Sequence, residues 1–363
     1  MALLLTVIVV ALVFEYINGF HDTANSIATV VSTKVLTPRQ AVMLAAATNL
    51  MGAMWGTAVA KTISSGLVDS KLVAMTSDII ICALLGAIIW NLLTWWFGLP
   101  SSSSHALIGG LCGSALAASG NNWHAIIWAQ PSKEHWWLGK GILWKVIVPM
   151  IVSPLVGLVL GFTVMAILYL ALQNARPTAV NRFFGRAQMV SAGAMGFMHG
   201  TNDAQKTMGI IALTLFAATK AGHLEHCPDW LGFLRTSADP GKEGIAVWIK
   251  VTCALVMASG TAVGGWRIIK TLGHKMVKLH PINGFAAEAS SASVILAATH
   301  LGIPVSTTHN ISCAIMGVGA ARRLSAIKWS VVERMVWAWI LTLPVTGLLA
   351  YGFVELIRIG KSH

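Results

Sequence analysis

The chain has 363 residues, of which 56% are hydrophobic and only 10% are charged. An average soluble domain carries about 25% charged residues, so this composition excludes a water-soluble globular protein and predicts an all-α polytopic membrane protein. Basic residues outnumber acidic ones by 25 to 13 and cluster between the apolar segments. We interpret them as topology determinants that contact lipid head groups, with a surface that attracts an anionic substrate as the alternative. No nucleic-acid partner is expected.

About eight apolar stretches approach the roughly 20 residues that a helix needs to cross a bilayer. They cover residues 1–17, 41–60, 72–97, 142–172, 188–218, 245–263, 285–300 and 329–357. The first stretch has neither a basic start nor a cleavage site, so we expect a retained span of a multi-pass cytoplasmic (inner) membrane protein. The lack of positive charge before Lys34 favours an outside N terminus. The five cysteines form no CxxC pair and are interpreted as buried thiols; no cofactor or protein-bound metal is predicted.

The polar sequence NGFHDTAN, residues 18–25, interrupts the first apolar stretch. Interruptions of this kind in transporters are typical of broken helices whose freed carbonyls line a ligand site, so a broken first helix is predicted here. Two carboxylates, Glu15 and Asp22, lie at membrane depth, where ionisable groups are costly and are functional candidates by default. We interpret Asp22 as functional and Glu15 as structural.

The third apolar stretch ends in the sequence GLPSSSSH, residues 98–105, which we call the first hydroxyl motif. The apolar segment that follows, residues 106–118, would form a helix of only roughly 20 Å, too short to cross the membrane. The pattern therefore predicts a re-entrant helical hairpin whose tip carries the hydroxyl side chains.

Three segments recur in the second half of the chain. The sequence GTND (200–203) matches GFHD (19–22) after 181 residues, and GIPVSTTH (302–309), the second hydroxyl motif, matches the first after 204 residues. Residues 265–272 resemble residues 56–63 after 209 residues. The increase from 181 to 209 places an insertion loop at 220–244. Internal repeats of this kind are typical of transporters with inverted repeats.

We therefore divide the chain into four segments. They are a first transmembrane repeat (1–120, hairpin near 98–118), a connection with kinked spans and a basic boundary (121–187), a second transmembrane repeat (188–320, hairpin near 302–320) and a C-terminal span (321–363). Each repeat is expected to contain a broken first helix and a re-entrant hairpin.

The two hydroxyl motifs predict an anion site. A helix N terminus offers unpaired N–H groups and the positive end of the helix dipole, and hydroxyls add donors without fixed charge. The candidate ligands of a tetrahedral oxyanion are Ser102, Ser103, Ser104, Ser306, Thr307 and Thr308. Helix capping alone is the structural alternative. His105 and His309 either orient or titrate beside these hydroxyls, or make structural hydrogen bonds.

A second symmetric pair, Asp22 and Asp203, predicts a site for a cation or proton, since carboxylates suit hard cations. The alternative is a carboxylate paired with a neighbouring cation for stability. The third residue after each aspartate differs between the halves, being Asn25 in one and Lys206 in the other, so a fixed ammonium replaces a possible ligand for a mobile cation. Glu288 is a further buried acid, either a proton carrier or the partner of a basic residue.

The chain resembles the inorganic phosphate transporter family of membrane symporters, in its bacterial low-affinity permease form. Four motifs in this order carry the resemblance: GFHDTANS (19–26), GLPSSSSH (98–105), GTNDAQKT (200–207) and GIPVSTTH (302–309). The resemblance covers essentially the whole chain. It implies an inverted repeat, two re-entrant hairpins and a homodimer with a moving transport domain. It also implies phosphate binding by the six hydroxyl residues and coupling-ion binding by Asp22, Asn25, Asn202 and Asp203.

This chain differs from the sodium-coupled members of the family at three positions that bear on the identity of the coupling ion. Those members tend to have asparagine, asparagine and glutamate where this chain has His21, Lys206 and Asn49. A protonated lysine has no acceptor for Na⁺, whereas histidine exchanges protons near neutral pH, so His21 favours proton coupling. Sodium coupling, transport of a divalent metal–phosphate complex and sulfate transport remain open alternatives.

Two other functional classes are less compatible with the sequence. An intramembrane hydrolase needs one nucleophile positioned by one base, whereas the hydroxyl and histidine element is duplicated here. A passive anion channel, whose flux would ignore an opposing proton or cation gradient, is the other remote alternative. We therefore predict a transporter and no catalytic residues.

Overall fold

A computed structural model describes residues 1–65, 67–69, 71–130, 139–225, 227–235 and 244–362. Within these ranges the secondary structure is helical apart from two isolated β-bridges, Val68 with Ile126 and Gln130 with Lys140. The predicted insertion loop 220–244 lies between helices where it is described, and residues 226 and 236–243 of it lie outside the described residues.

The order of helices is the same in the two halves of the chain. The first half contains α1 (Ala2–Ser32), α2 (Pro38–Ala53), α3 (Ala58–Ser65), α4 (Ser77–Phe97), α5 (Ser103–Ala118) and α6 (Val148–Ala171). The second half contains α7 (Pro177–Lys220), α8 (Val247–Val263), α9 (Trp266–Lys270), α10 (Pro281–His300), α11 (Thr307–Arg322) and α12 (Trp329–Ser362). A π-helical turn precedes α6 and another follows α9.

Fewer helices are long and apolar enough to cross a membrane than the sequence predicted. In the described residues four helices meet that requirement, or six if each bent pair forms one span. The bent pairs are α2 with α3, at 70°, and α8 with the segment Trp266–Lys275, at 57°. The predicted number of about eight was too high because α7 and α10 carry many buried polar side chains, which lower their hydropathy.

The predicted break in the first helix of each repeat is wrong. Helix α1 continues through residues 18–25 and α7 continues through residues 200–203. The glycines allow close helix packing: a Cβ at Gly19 would collide with the backbone of α8, and one at Gly200 with the backbone of α2. His21, Asn25 and Asn202 bond to side chains of other helices, while the backbone of α1 and α7 stays helical through both segments.

Each hydroxyl motif joins two helices that pack against each other, α4 with α5 and α10 with α11. The connection begins at Gly98 in the first half and at Gly302 in the second, with φ of 64° and 63°. This left-handed conformation suits glycine because it has no Cβ. Both short helices, α5 and α11, have 16 residues and would extend about 24 Å.

The two halves exchange their last helices. Helix α6 packs on α10 and α11, while α12 packs on α4 and α5, and α1 contacts α8 just as α7 contacts α2. Trp339 of α12 donates its indole N–H to the carbonyl of Pro100 (2.9 Å) and stacks on His309 with 4.2 Å between ring centroids. The hydroxyl motifs are therefore enclosed by helices from both halves.

We expect Gly98→Ala to destabilise the protein, because a left-handed non-glycine residue costs about 1–2 kcal/mol and the new Cβ would lie 3.2 Å from the Arg267 carbonyl oxygen. Gly352→Ala in α12 is the matched control, since its Cβ would meet nothing within 4 Å and alanine favours a helix. Thermal unfolding in detergent measures both. Equal melting temperatures for the two variants would contradict the prediction.

Candidate anion and cation site

The N termini of α5 and α11 meet at the centre of the helix bundle. The rings of His105 and His309 are 5.0 Å apart between centroids, and Ser104 Oγ donates to the Val305 carbonyl at 3.3 Å. All six hydroxyl residues predicted as anion ligands are at most 3% exposed. The structure thus brings together the two hydroxyl motifs, which lie 204 residues apart in sequence.

Capping accounts for one hydroxyl in each motif. Ser102 and Ser306 each accept the backbone N–H of the histidine three residues later, at 3.2 Å. The first-turn N–H groups that follow a helix cap have no partner within the helix, and the Ser103 hydroxyl has no hydrogen-bond partner within the described residues. Donors therefore remain for an anion after the helices are capped.

Each of the two threonines of the second motif contacts one of the two aspartates. Thr307 Oγ1 donates to Asp203 Oδ2 at 3.1 Å, and Thr308 Oγ1 donates to Asp22 Oδ1 at 3.4 Å. Asn25 Nδ2 donates to the hydroxyl oxygens of Thr307 (3.1 Å) and Thr308 (2.9 Å). Two of the predicted anion ligands and three of the predicted cation ligands thus form one continuous cluster.

His21 extends this cluster toward the first hydroxyl motif. Its Nδ1 donates to Asp22 Oδ1 at 2.6 Å, and its Nε2 lies 3.1 Å from Thr94 Oγ1. Thr94 in turn accepts a hydrogen bond from Ser101 at 2.9 Å. Ser101 was not predicted as a site residue, although it belongs to the same serine run as the three serines that were.

Lys206 lies at the centre of the second half of the cluster. Its buried ammonium contacts Asp203 Oδ1 and Ser104 Oγ, and it donates to the Val305 carbonyl at 3.3 Å. The lysine therefore joins α7 to both hydroxyl motifs. For Asp203 the predicted alternative, a carboxylate paired with a neighbouring cation, describes the observed contact.

His199 is a site residue that the sequence analysis missed. Its Nε2 lies 3.2 Å from Asp203 Oδ2, at ion-pair distance but outside hydrogen-bond geometry, and its Nδ1 lies 3.1 Å from Asn49 Oδ1. The signal was available, because a residue four positions before Asp203 lies on the same face of a helix. Asp22, His199 and Asp203 offer ligand atoms within 4.8 Å of one another, a donor set that fits a small cation.

Three further buried polar residues are Asn202, Glu288 and Glu15. Asn202 donates to Thr299 Oγ1 (3.0 Å) and to the Ile303 carbonyl (3.3 Å), so it supports the second hydroxyl motif and makes no contact with either aspartate among the described bonds. Glu288 accepts from Thr29, Ser191 and Gln188, which are neutral donors and not the basic partner that one alternative predicted. Glu15 accepts from Thr207, the neighbour of Lys206.

Buried polar sites inside an apolar helix bundle, at the interface of its two halves, are found in membrane transporters. The chain belongs to the phosphate transporter family, whose model matches residues 18–178 and 170–350. The resemblance inferred from the four motifs is thereby confirmed. Because this family consists of transporters, the protein is a multi-pass membrane transporter and not an enzyme.

Similar proteins cover nearly the whole chain. The chain is 44% identical over 360 residues to a "probable low-affinity inorganic phosphate transporter" of Bacillus subtilis, covering 98% of both. It is also 44% identical over 349 residues to a protein of the same description from Rhizobium meliloti, and the match covers 96% of this chain and 94% of that protein. A solved structure titled "The sodium-dependent phosphate transporter" has a TM-score of 0.76 at 23% identity and covers 99% of this chain and 100% of that one. At this identity the likeness concerns the fold.

Removing the ammonium from the cluster should be strongly destabilising. We expect Lys206→Met to lower the free energy of unfolding by about 3–5 kcal/mol, because the Asp203 carboxylate would remain buried without its cation. The double variant Asp203→Asn with Lys206→Met should recover most of this loss, since both charges are gone. Denaturation in detergent micelles measures both, and a double variant less stable than the single one would contradict the ion-pair interpretation.

Proposed function

We propose that the protein is a secondary active symporter that imports inorganic phosphate across the cytoplasmic membrane together with protons. The observation that supports this proposal is the double contact of Thr307 and Thr308, whose hydroxyl groups belong to the anion motif but donate to Asp203 and Asp22. The carboxylates and a bound phosphate would therefore compete for the same hydroxyl hydrogens.

The hydroxyl motifs supply the phosphate ligands in this proposal. Neutral hydroxyl and N–H donors from two helix N termini can surround a tetrahedral oxyanion, and they release it more readily than a cluster of arginines would, because neutral hydrogen bonds are weaker than charge-assisted ones. Ser103 Oγ, His105 Nδ1 and His309 Nε2 are buried and lack hydrogen-bond partners within the described residues. A bound phosphate would provide partners for these groups.

The same geometry supplies a physical reason for coupling. While Asp22 and Asp203 are ionised, they repel an anion and hold the threonine hydroxyl hydrogens toward themselves. A proton or cation at these carboxylates removes the repulsion. A bound cation also stabilises a phosphate anion buried next to it, because opposite charges attract strongly in a buried site. Thr307 and Thr308 can then turn their hydrogens to phosphate. Cation binding and phosphate binding would thus favour each other.

Transport requires the centre to open, because the six hydroxyl residues are closed to solvent on all sides. We propose that the two hairpins open it alternately to the two sides of the membrane, as the inverted repeat implied by the family resemblance would allow. The four-segment division of the chain and the homodimer implied by the same resemblance stay predictions.

Protons are the favoured coupling ion because of Lys206 and His21. The ammonium of Lys206 lies against the Asp203 carboxylate and occupies the position where a sodium ion could otherwise bind. A protonated amine itself cannot coordinate Na⁺. His21 contacts Asp22 directly and can carry a proton. We propose His21 and Asp22 as the proton-binding pair of the first half.

Sodium is the second candidate, since the solved structure with the same fold is titled as a sodium-dependent transporter. Transport of phosphate as a complex with a divalent metal is a third possibility. The ligand atoms of Asp22, His199 and Asp203 lie close enough for a metal that enters as part of the cargo. An assay of transport must therefore vary protons, sodium and divalent metal separately.

We expect proteoliposomes that contain the protein to accumulate radiolabelled phosphate when the outside is acidic, and to do so without sodium. Excess unlabelled phosphate should block uptake and an equal concentration of sulfate should not. A chelator added outside tests for a metal–phosphate cargo. Uptake that follows a sodium gradient and ignores a pH gradient would contradict proton coupling, and uptake that ignores both gradients would contradict symport.

Lys206→Asn should change the ion dependence. The substitution removes the fixed ammonium and introduces the residue type that Asn25 provides in the first half. We expect phosphate uptake by the variant to become stimulated by sodium, because Asp203 then needs a mobile cation. Lys220→Asn, at the exposed end of the same helix, is the control and should behave like the wild type. An unchanged cation profile for Lys206→Asn would exclude this role of the ammonium.

A further inference from the structure

One repeated segment has no part in the proposed binding of phosphate or cation. Residues 56–63 and 265–272 match after 209 residues. They fall in the second helix of each bent pair, which is α3 in the first half and α9 with its π-helical turn in the second; we call these two segments the limbs. The matched sequences KTI and KTL place a threonine in each, Thr62 and Thr271. Both threonines lie beside a hydroxyl motif of the opposite half.

Each threonine bonds the glycine that begins a hydroxyl motif. Thr271 Oγ1 donates to the Gly98 carbonyl at 2.8 Å, and Thr62 Oγ1 donates to the Gly302 carbonyl at 2.7 Å. Each hydroxyl also has a carbonyl of its own helix within reach, but at 3.3 Å and 3.4 Å. The bonds between the halves are thus the shorter ones, and we call them the cross-half threonine bonds.

The backbone around these bonds is matched as well. A Cβ at Gly98 would lie 3.2 Å from the Arg267 carbonyl oxygen, and one at Gly302 would lie 3.1 Å from the Ala58 carbonyl oxygen. Arg267 and Ala58 both precede the bonding threonine by four residues, one helical turn. Each limb therefore presents one carbonyl and one hydroxyl to a left-handed glycine, and the arrangement occurs twice.

We propose that Thr62 and Thr271 are positioning residues for the phosphate site, each holding the hydroxyl motif of the opposite half through its glycine carbonyl. The proposal rests on the proposed function, because it assigns the phosphate ligands to these motifs. Gly98 and Gly302 stand two residues before the proline of their motif. Their carbonyls therefore fix the direction in which the chain enters the hydroxyl run.

The chemistry of the acceptor supports this role. The carbonyls at a helix C terminus have no partner within the helix, and a left-handed glycine there turns the chain away from the helix axis. An outside hydroxyl that satisfies such a carbonyl fixes the turn. Since each hydroxyl comes from the other half, movement of α3 or of the α9 limb is transmitted to the hydroxyl motif of the other half.

Hydrogen–deuterium exchange of the purified full chain, in detergent and without phosphate, tests the bonds themselves. Loss of one buried hydrogen bond with its acceptor left unpaired should raise local exchange about tenfold. We expect Thr62→Val to raise exchange at residues 302–309 and leave 98–105 unchanged, and Thr271→Val to do the reverse. Thr252→Val is the matched control, because that hydroxyl donates to Trp248 within its own helix at 2.8 Å.

Thr62→Ser and Thr271→Ser keep the hydroxyl and should restore the wild-type exchange pattern. Exchange that rises equally in both motifs, or in neither, would overturn the proposal. So would a valine variant at position 252 that changes the motifs as much as the other two do.

Phosphate uptake provides the functional readout. Each valine variant should raise the KM for phosphate about tenfold with kcat within about twofold of wild type, and each serine variant should restore KM. A lower kcat at unchanged KM would indicate lost folded protein and would overturn the positioning role. If the wild type transports no phosphate, the proposed function fails, while the exchange pattern still decides whether the cross-half threonine bonds position the motifs.

Discussion

The centre of the helix bundle is organised around the buried ammonium of Lys206. Lys206 contacts Asp203 on its own helix, the Ser104 hydroxyl of the first motif and the Val305 carbonyl of the second. A charge in an apolar bundle is tolerated only when it is paired and hydrogen-bonded, so these three partners must stay within reach of one side chain. The requirement fixes α7 against both hairpins and brings the hydroxyl motifs to the same centre as the carboxylates.

The same pairing explains why the two halves are not equivalent. In the second half Asp203 pairs with the ammonium of Lys206, whereas in the first half Asp22 contacts His21 and the Thr308 hydroxyl. The order of helices is the same in the two halves, but the charged contacts are not. The counter-charge of Asp203 is thus a lysine on its own helix, and neither described partner of Asp22 is a lysine or arginine.

Much of this site could be predicted from the sequence because the sequence repeats. Two matched hydroxyl motifs and two matched aspartates identified the centre, and the difference at Lys206 identified its asymmetry. The broken first helices were predicted wrongly, since Gly19 and Gly200 serve helix packing, which depends on neighbours that hydropathy does not specify. His199 was missed although its position one turn before Asp203 on α7 could be recognised from the sequence. The contacts of Thr62 and Thr271 were missed because each depends on a partner in the other half of the chain, which a pattern along one helix does not identify.

The exchange of last helices between the halves has a consequence for biosynthesis. The first hairpin, α4 and α5, is complete once residue 118 has been made, yet the helix that covers it, α12, begins at Trp329. More than half of the chain is synthesised while the apolar face of that hairpin has only lipid or other early helices to contact. Contacts of such long range form late, so the first hydroxyl motif reaches its final surroundings only after the end of the chain has entered the membrane.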